Sequence, residues 1–112
     1  MSAYKHYKNK LKGYSYPHAC LDVDLLHKNI DKNIARAGNK LIRIASKSVR
    51  SPAAMRMILD RHPQIQGIMT YHGGEAIYLS KDGFDNILMG YPIVDESILK
   101  SMISIFRTIT RD

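Results

Sequence analysis

An apolar, strand-like run followed by a helical pattern occurs four times in this chain, at intervals of a little over twenty residues. The first run is HACLDV (18–23), and Leu26, Ile30 and Ile34 then recur on one helical face. Asp22 or Asp24 is suited to cap that helix, and Gly38 and Asn39 end it. The second run is KLIRIASKS (40–48), followed by a Ser51 cap, Pro52 at the first helical position and the helix AAMRMILDRH (53–62). The third is QIQGIMTY (64–71), from which Gly73 and Gly74 turn into the helix EAIYLSKDG (75–83). The fourth is DNILMGYPI (85–93), and Asp95 caps a last helix that buries Ile98, Met102, Ile105, Phe106 and Ile109. Strands that alternate with helices and lack hairpin turns predict an α/β fold with a parallel sheet and right-handed crossovers. A flavodoxin-like sheet and part of a (β/α)8 barrel both satisfy the pattern.

With 112 residues, there is room for one small domain. A hydrophobic share of 45% fits a packed core. The single cysteine, Cys20, excludes an internal disulfide and fits a reducing compartment. It is read as a small buried residue in mid-strand. No apolar run approaches the ~20 residues of a membrane helix. The first residues have no apolar centre of the secretory kind. A cytoplasmic protein with no membrane association is the expectation.

The net charge is +7, and much of it lies in an N-terminal arm, residues 1–17. There Lys5, Lys8, Lys10 and Lys12 alternate with Tyr4, Tyr7, Tyr14 and Tyr16. Lysines mixed with aromatics are able to track a nucleic-acid backbone and stack its bases. No nucleic-acid-binding motif accompanies them, so the favoured reading is a solvated helix whose tyrosines pack on the domain, with no nucleic-acid partner.

Lys47 is the residue that raises a chemical question. Alternation along the second strand puts Leu41, Arg43, Ala45 and Lys47 on one face, and Ile42, Ile44 and Ser46 on the other. If the isoleucines meet the helices, Arg43 and Lys47 point toward a barrel interior. Lys47 then stands at the carboxyl end of its strand, where barrel enzymes place their chemistry. A lysine in the field of Arg43 and Arg50 would have its amine favoured over ammonium and could form a Schiff base. The plainer alternative is a solvated lysine at a strand end.

The same residues carry a family likeness. Leu21, Asp22, Asp24, Asn29 and Ile30 follow the pattern LDxDxLxxNI. Arg43, Lys47, Ser48, Arg50, Ser51 and Pro52 follow R-x-x-x-K-[ST]-x-[KR]-[ST]-P. Further along come Gly74-Glu75-Ala76, then Gly83-Phe84-Asp85-Asn86-Ile87-Leu88 and Tyr91-Pro92. In order and spacing, residues 14 to 95 resemble the opening of the alanine racemase N-terminal-like barrel. The branch most similar is that of D-threonine aldolase and D-serine dehydratase. The resemblance implies the N-terminal half of a (β/α)8 barrel of pyridoxal phosphate fold type III, with Lys47 as the residue that carries pyridoxal 5′-phosphate. It implies aldolase, dehydratase or racemase chemistry on a D-amino acid. Lys47 is the candidate catalytic residue, and Lys47, Arg43, His72 and Tyr91 are the candidate cofactor contacts. Arg43 would lie under the cofactor on the lysine's strand face. His72 and Tyr91 follow the third and fourth strands. Ala45 and Val49 stand where the aldolase branch often has histidines, which leaves the substrate open.

Family members are several times longer. Their later strands hold the phosphate, and in the aldolase branch a C-terminal domain holds a divalent metal. Residues 18–112 are therefore expected to form four β-α units of a truncated barrel, with a fragment of a longer enzyme as the favoured reading and pairing with a second copy or a separately encoded second half as the alternatives. A non-catalytic pyridoxal phosphate carrier is the alternative function. His6, His18, His27, His62 and His72 show no metal-ligand spacing.

Overall fold

The computed structural model describes residues 2–109, with side chains described through residue 105. The arm is helical: α1 (Ala3–Lys10) is capped by Ser2, whose hydroxyl accepts from the Lys5 amide. Next comes α2 (Val23–Ala37), capped by Asp22, which accepts from the Leu25 amide at 2.9 Å. The remainder alternates: β1 (Ile42–Ala45), the one-turn α3 (Ser46–Val49), α4 (Pro52–Arg61), β2 (Ile65–Thr70), α5 (Gly73–Lys81), β3 (Ile87–Met89) and α6 (Glu96–Ile109). Ser51 and Pro52 start α4 as their chemistry predicts, and Asp95 caps α6 by accepting from the Ser97 and Ile98 amides.

The three strands form one open parallel sheet in the order β1-β2-β3. Its core lies on one face. Ile44 and Ile68 pack there with Ile30 of α2, Met55 of α4, and Leu79 and Phe84 from α5 and the turn after it. Ile68 has no exposed surface, and burying a side chain of that kind stabilises the fold by about 1.5–3 kcal/mol. On the opposite face Arg43 is exposed, Ala45 and Met69 are half-buried, and Leu88 is 48% exposed. Gly73 permits a close approach at the start of α5. A Cβ there would collide with Ile98 Cγ2 of α6 and lie 3.1 Å from Ile93 Cδ1.

Four expectations need correction. Residues 18–22 pair with no strand, so the first β-α unit lacks its strand and three units remain. The cause is local. Asp22 is committed to capping α2 and accepts from Tyr7 Oη at 2.6 Å, so the chain turns into a helix at Val23. Cys20 is consequently exposed rather than buried in a strand. The second strand stops at Ala45, and Lys47 sits in the helical turn beyond it. Ser46 ends the strand: its side chain is buried, its hydroxyl donates to the Met69 carbonyl at 3.2 Å, and its own carbonyl accepts from the Arg50 amide at 2.8 Å. Lastly, the arm's tyrosines do not pack on the domain. Tyr4, Tyr14 and Tyr16 are 71%, 67% and 74% exposed, and only Tyr7 is half-buried. Of the residues expected inside α6, Ile98, Met102 and Ile105 are half-buried, while the side chains of Phe106 and Ile109 lie outside the described residues. Among the described residues no helix is long and apolar enough to cross a membrane.

Candidate functional site

The carboxyl ends of the three strands and the turns after them form one rim. Lys47 leaves that rim from the turn after β1, and Tyr91 from the loop after β3. The two meet there. Lys47 Nζ donates to Tyr91 Oη at 3.3 Å and stands 5.5 Å from the centre of its ring. Both residues are exposed. Among the described residues no carboxylate forms an ion pair with Lys47. Arg50, in the left-handed conformation at φ 52°, closes the turn, and its Nε donates to the Lys47 carbonyl at 3.0 Å.

Arg43 is not at this rim. Its guanidinium reaches across the open face to the amino end of β3, where Nη1 donates to the Asn86 carbonyl and Nη2 to Asn86 Oδ1, both at 2.6 Å. It passes over Gly67, its partner on β2, where a Cβ would lie 2.8 Å from Nη1. Asn86 then donates from Nδ2 to the Gln66 carbonyl at 2.8 Å, at the register shift that makes Gln66 the extra residue of β2. Arg43 is thus a brace across three strands. The brace could have been suspected from Gly67 alone, since an isolated glycine in a strand marks a close approach of other atoms.

His72 follows β2 and caps α5, with Nδ1 accepting from the Gly74 amide at 3.1 Å. That bond puts the proton of a neutral ring on Nε2. It also occupies an amide that the Gly73-Gly74 turn would have offered to an anion. No contact joins His72 to Lys47 or Tyr91 among the described residues; its ring neighbour is Tyr71, 6.4 Å away between centres. Asp95 lies close enough to feel the His72 ring. Its carboxyl is held below the ordinary value mainly by the Ser97 hydroxyl, then by the Ile98 and Ser97 amides. Behind the rim, a cleft of about 250 Å³ between α4 and α5 is lined by Arg50, Tyr71, Glu75 and Tyr78 among others. A larger apolar groove of about 420 Å³ runs between α5, β3 and α6. The described residues hold no group of three His, Cys, Asp or Glu side chains placed for a metal ion.

Together these features define an α/β protein of parallel β-α units, with a lysine and a tyrosine paired at the carboxyl rim of an open three-stranded sheet. No protein-family model, curated protein or solved structure matches the chain.

Proposed function

We propose that this chain provides the lysine-bearing wall of a (β/α)8 barrel that uses pyridoxal 5′-phosphate in amino-acid chemistry. The observation that carries the reading is Lys47 Nζ, an exposed amine at the carboxyl rim of a parallel sheet with a phenol 3.3 Å away. Strand order and packing support the barrel. The strands succeed one another without reversal, and the core fills one face while the other carries exposed Arg43 and Leu88 beside half-buried Ala45 and Met69. A barrel wall has its helices outside and its open face inward.

The residues fit the aldehyde end of the cofactor. Lys47 would bind it through Nζ, and Tyr91 would orient that nitrogen. When bound, the cofactor supplies an electron sink for negative charge at an amino-acid Cα. Lys47, released from it, would be the group that moves the Cα proton, with Tyr91 Oη accepting a hydrogen bond from Nζ. Arg43 is assigned no cofactor contact, because its guanidinium is directed to Asn86 at the amino end of the sheet, away from the rim that carries Lys47. The phosphate would be held by residues of the later barrel strands. Candidate reactions are cleavage of a D-3-hydroxy amino acid, dehydration of D-serine and racemisation. A carrier that binds the cofactor without turnover is the second reading.

Borohydride reduction after incubation with pyridoxal phosphate tests the reading. Digestion and mass spectrometry should locate one pyridoxyl adduct at Lys47, absent in Lys47→Ala. Adducts spread evenly over surface lysines and unaltered by the substitution would refute it. Release of aldehyde from a D-3-hydroxy amino acid separates the enzyme from the carrier.

A further inference from the structure

We propose that the N-terminal arm, residues 3–18, is a binding surface for single-stranded nucleic acid. The proposal stands independently of the pyridoxal phosphate reading and concerns the opposite part of the sequence. Lys5, Lys8, Lys10 and Lys12 carry four positive charges, and the first acidic residue of the chain is Asp22. All four lysines are exposed, and no ion pair neutralises them among the described residues. Their field is therefore available to a polyanion.

The aromatic residues decide what kind. Tyr14 and Tyr16 are two-thirds to three-quarters exposed, although large aromatic rings normally dominate cores. Tyr16 stacks on His18 with ring centres 4.7 Å apart and planes 29° from parallel. Tyr14 approaches the same imidazole at 6.2 Å. His18 is itself fixed, with Nδ1 bonded to the Ser15 carbonyl at 2.7 Å. The three rings thus form a solvent-facing cluster immediately after the lysine-bearing helix. Tyr4 adds a fourth exposed ring, with Lys8 Nζ 5.7 Å from its centre. Exposed rings and lysines in one short segment suit unpaired bases joined by phosphates, since every base has a face to stack. An anionic membrane fits less well. The helix AYKHYKNK carries no apolar face to insert, and no residue of it is buried. The Tyr7–Asp22 hydrogen bond ties the lysine-bearing helix to the start of α2, and the aromatic cluster lies in the segment between them.

Fluorescence anisotropy with a labelled single-stranded 12-mer of uridine, and with the same length of thymidine, should show binding that weakens with salt. Four phosphate contacts predict a slope of log K against log salt of about −3, from ~0.7 per contact. Each Lys→Gln change among the four should remove about 0.7 from that slope. Tyr14→Ala with Tyr16→Ala should weaken binding by about tenfold and leave the slope unchanged. All these side chains are exposed, and circular dichroism checks that the variants fold. Binding that survives the tyrosine changes, or equal binding to phosphatidylserine vesicles, would overturn the proposal in favour of unspecific anion attraction. Concentration-dependent dimerisation that vanishes in the tyrosine variant, without oligonucleotide binding, would overturn it in favour of a second copy as the occupant.

Discussion

The two ends of the sheet use their cations in opposite ways. At the amino end Arg43 spends both Nη atoms on Asn86, which in turn secures Gln66, so one guanidinium ties three strands together. At the carboxyl end Lys47 makes one long hydrogen bond to a phenol and otherwise faces water. The residue types match the tasks. A planar guanidinium offers several donors in fixed geometry, whereas an ammonium on a flexible stem is a mobile point charge. Both residues come from the same short stretch of sequence, yet only one is consumed by the fold. Lys47, with its one contact to Tyr91, remains an exposed amine at the rim.

The sharpest way to break the amino end is Gly67→Ala. The new methyl would collide with the Asn86 carbonyl oxygen, and with Arg43 Nη1 at 2.8 Å. The arginine has room to swing away, but the carbonyl belongs to the backbone, so β3 would have to move. We expect a loss of about 2–3 kcal/mol in urea unfolding, the cost of overpacking at a tight site. A loss below about 0.5 kcal/mol would mean that β3 is not held where the brace puts it.

Arg43→Met comes next, and it separates the brace from other polar contacts through pH. Losing two hydrogen bonds from an exposed guanidinium should cost about 1 kcal/mol. The acceptors are an amide oxygen and a carbonyl, so nothing in the brace titrates. The cost should therefore be the same at pH 7 and pH 4. Asp22, Asp31 and Asp95 behave otherwise. Tyr7, Arg61 and Ser97 are the leading causes that hold their carboxyls below the ordinary 3.8. With depressed folded values, their contribution is complete above 3.8 and disappears as pH falls through those lower values. Tyr7 has the opposite sign. Its hydroxyl is raised above 10.0, chiefly by the bond to Asp22, so its contribution is present below 10.0 and lost as pH rises beyond it. Acid unfolding of wild type and Arg43→Met should then give parallel curves. Curves that converge below pH 4 would show that Arg43 is paired with a carboxylate in solution.

This contrast explains which parts of the molecule were legible in the sequence. Caps are local: Asp22, Ser51 with Pro52, and Asp95 sit within three residues of the amides they serve, so the sequence points to Ser51 and Asp95 directly and narrows the first cap to Asp22 or Asp24. The strands at Ile42, Ile65 and Ile87 announced themselves through apolar runs rich in isoleucine. What failed depended on partners far along the chain. Alternation put Lys47 on a strand face with Arg43, but Ser46 turns the backbone at Ala45 because its hydroxyl finds Met69, 23 residues away. Arg43 finds Asn86 at a separation of 43, and Lys47 finds Tyr91 at 44. Periodicity carries no information about such pairs. HACLDV failed for a different reason: its composition suits a strand, but Asp22 is claimed by α2 and by Tyr7.

The smallest expected effect is the most informative about the carboxyl end. Lys47→Met keeps the length of the side chain and removes one 3.3 Å hydrogen bond and a cation 5.5 Å from a ring centre, both in water. Solvent-exposed contacts of this kind contribute little, so unfolding free energy should change by less than about 0.5 kcal/mol. Tyr91→Phe should be equally mild. If either substitution costs as much as Arg43→Met, the rim pair is a second brace, and the availability that distinguishes Lys47 from Arg43 disappears. If both are neutral while Lys47 is the one lysine labelled in the unaltered protein, the rim lysine is a group the fold does not need. A buried-core change cannot make that distinction, because it would disturb both ends of the sheet together.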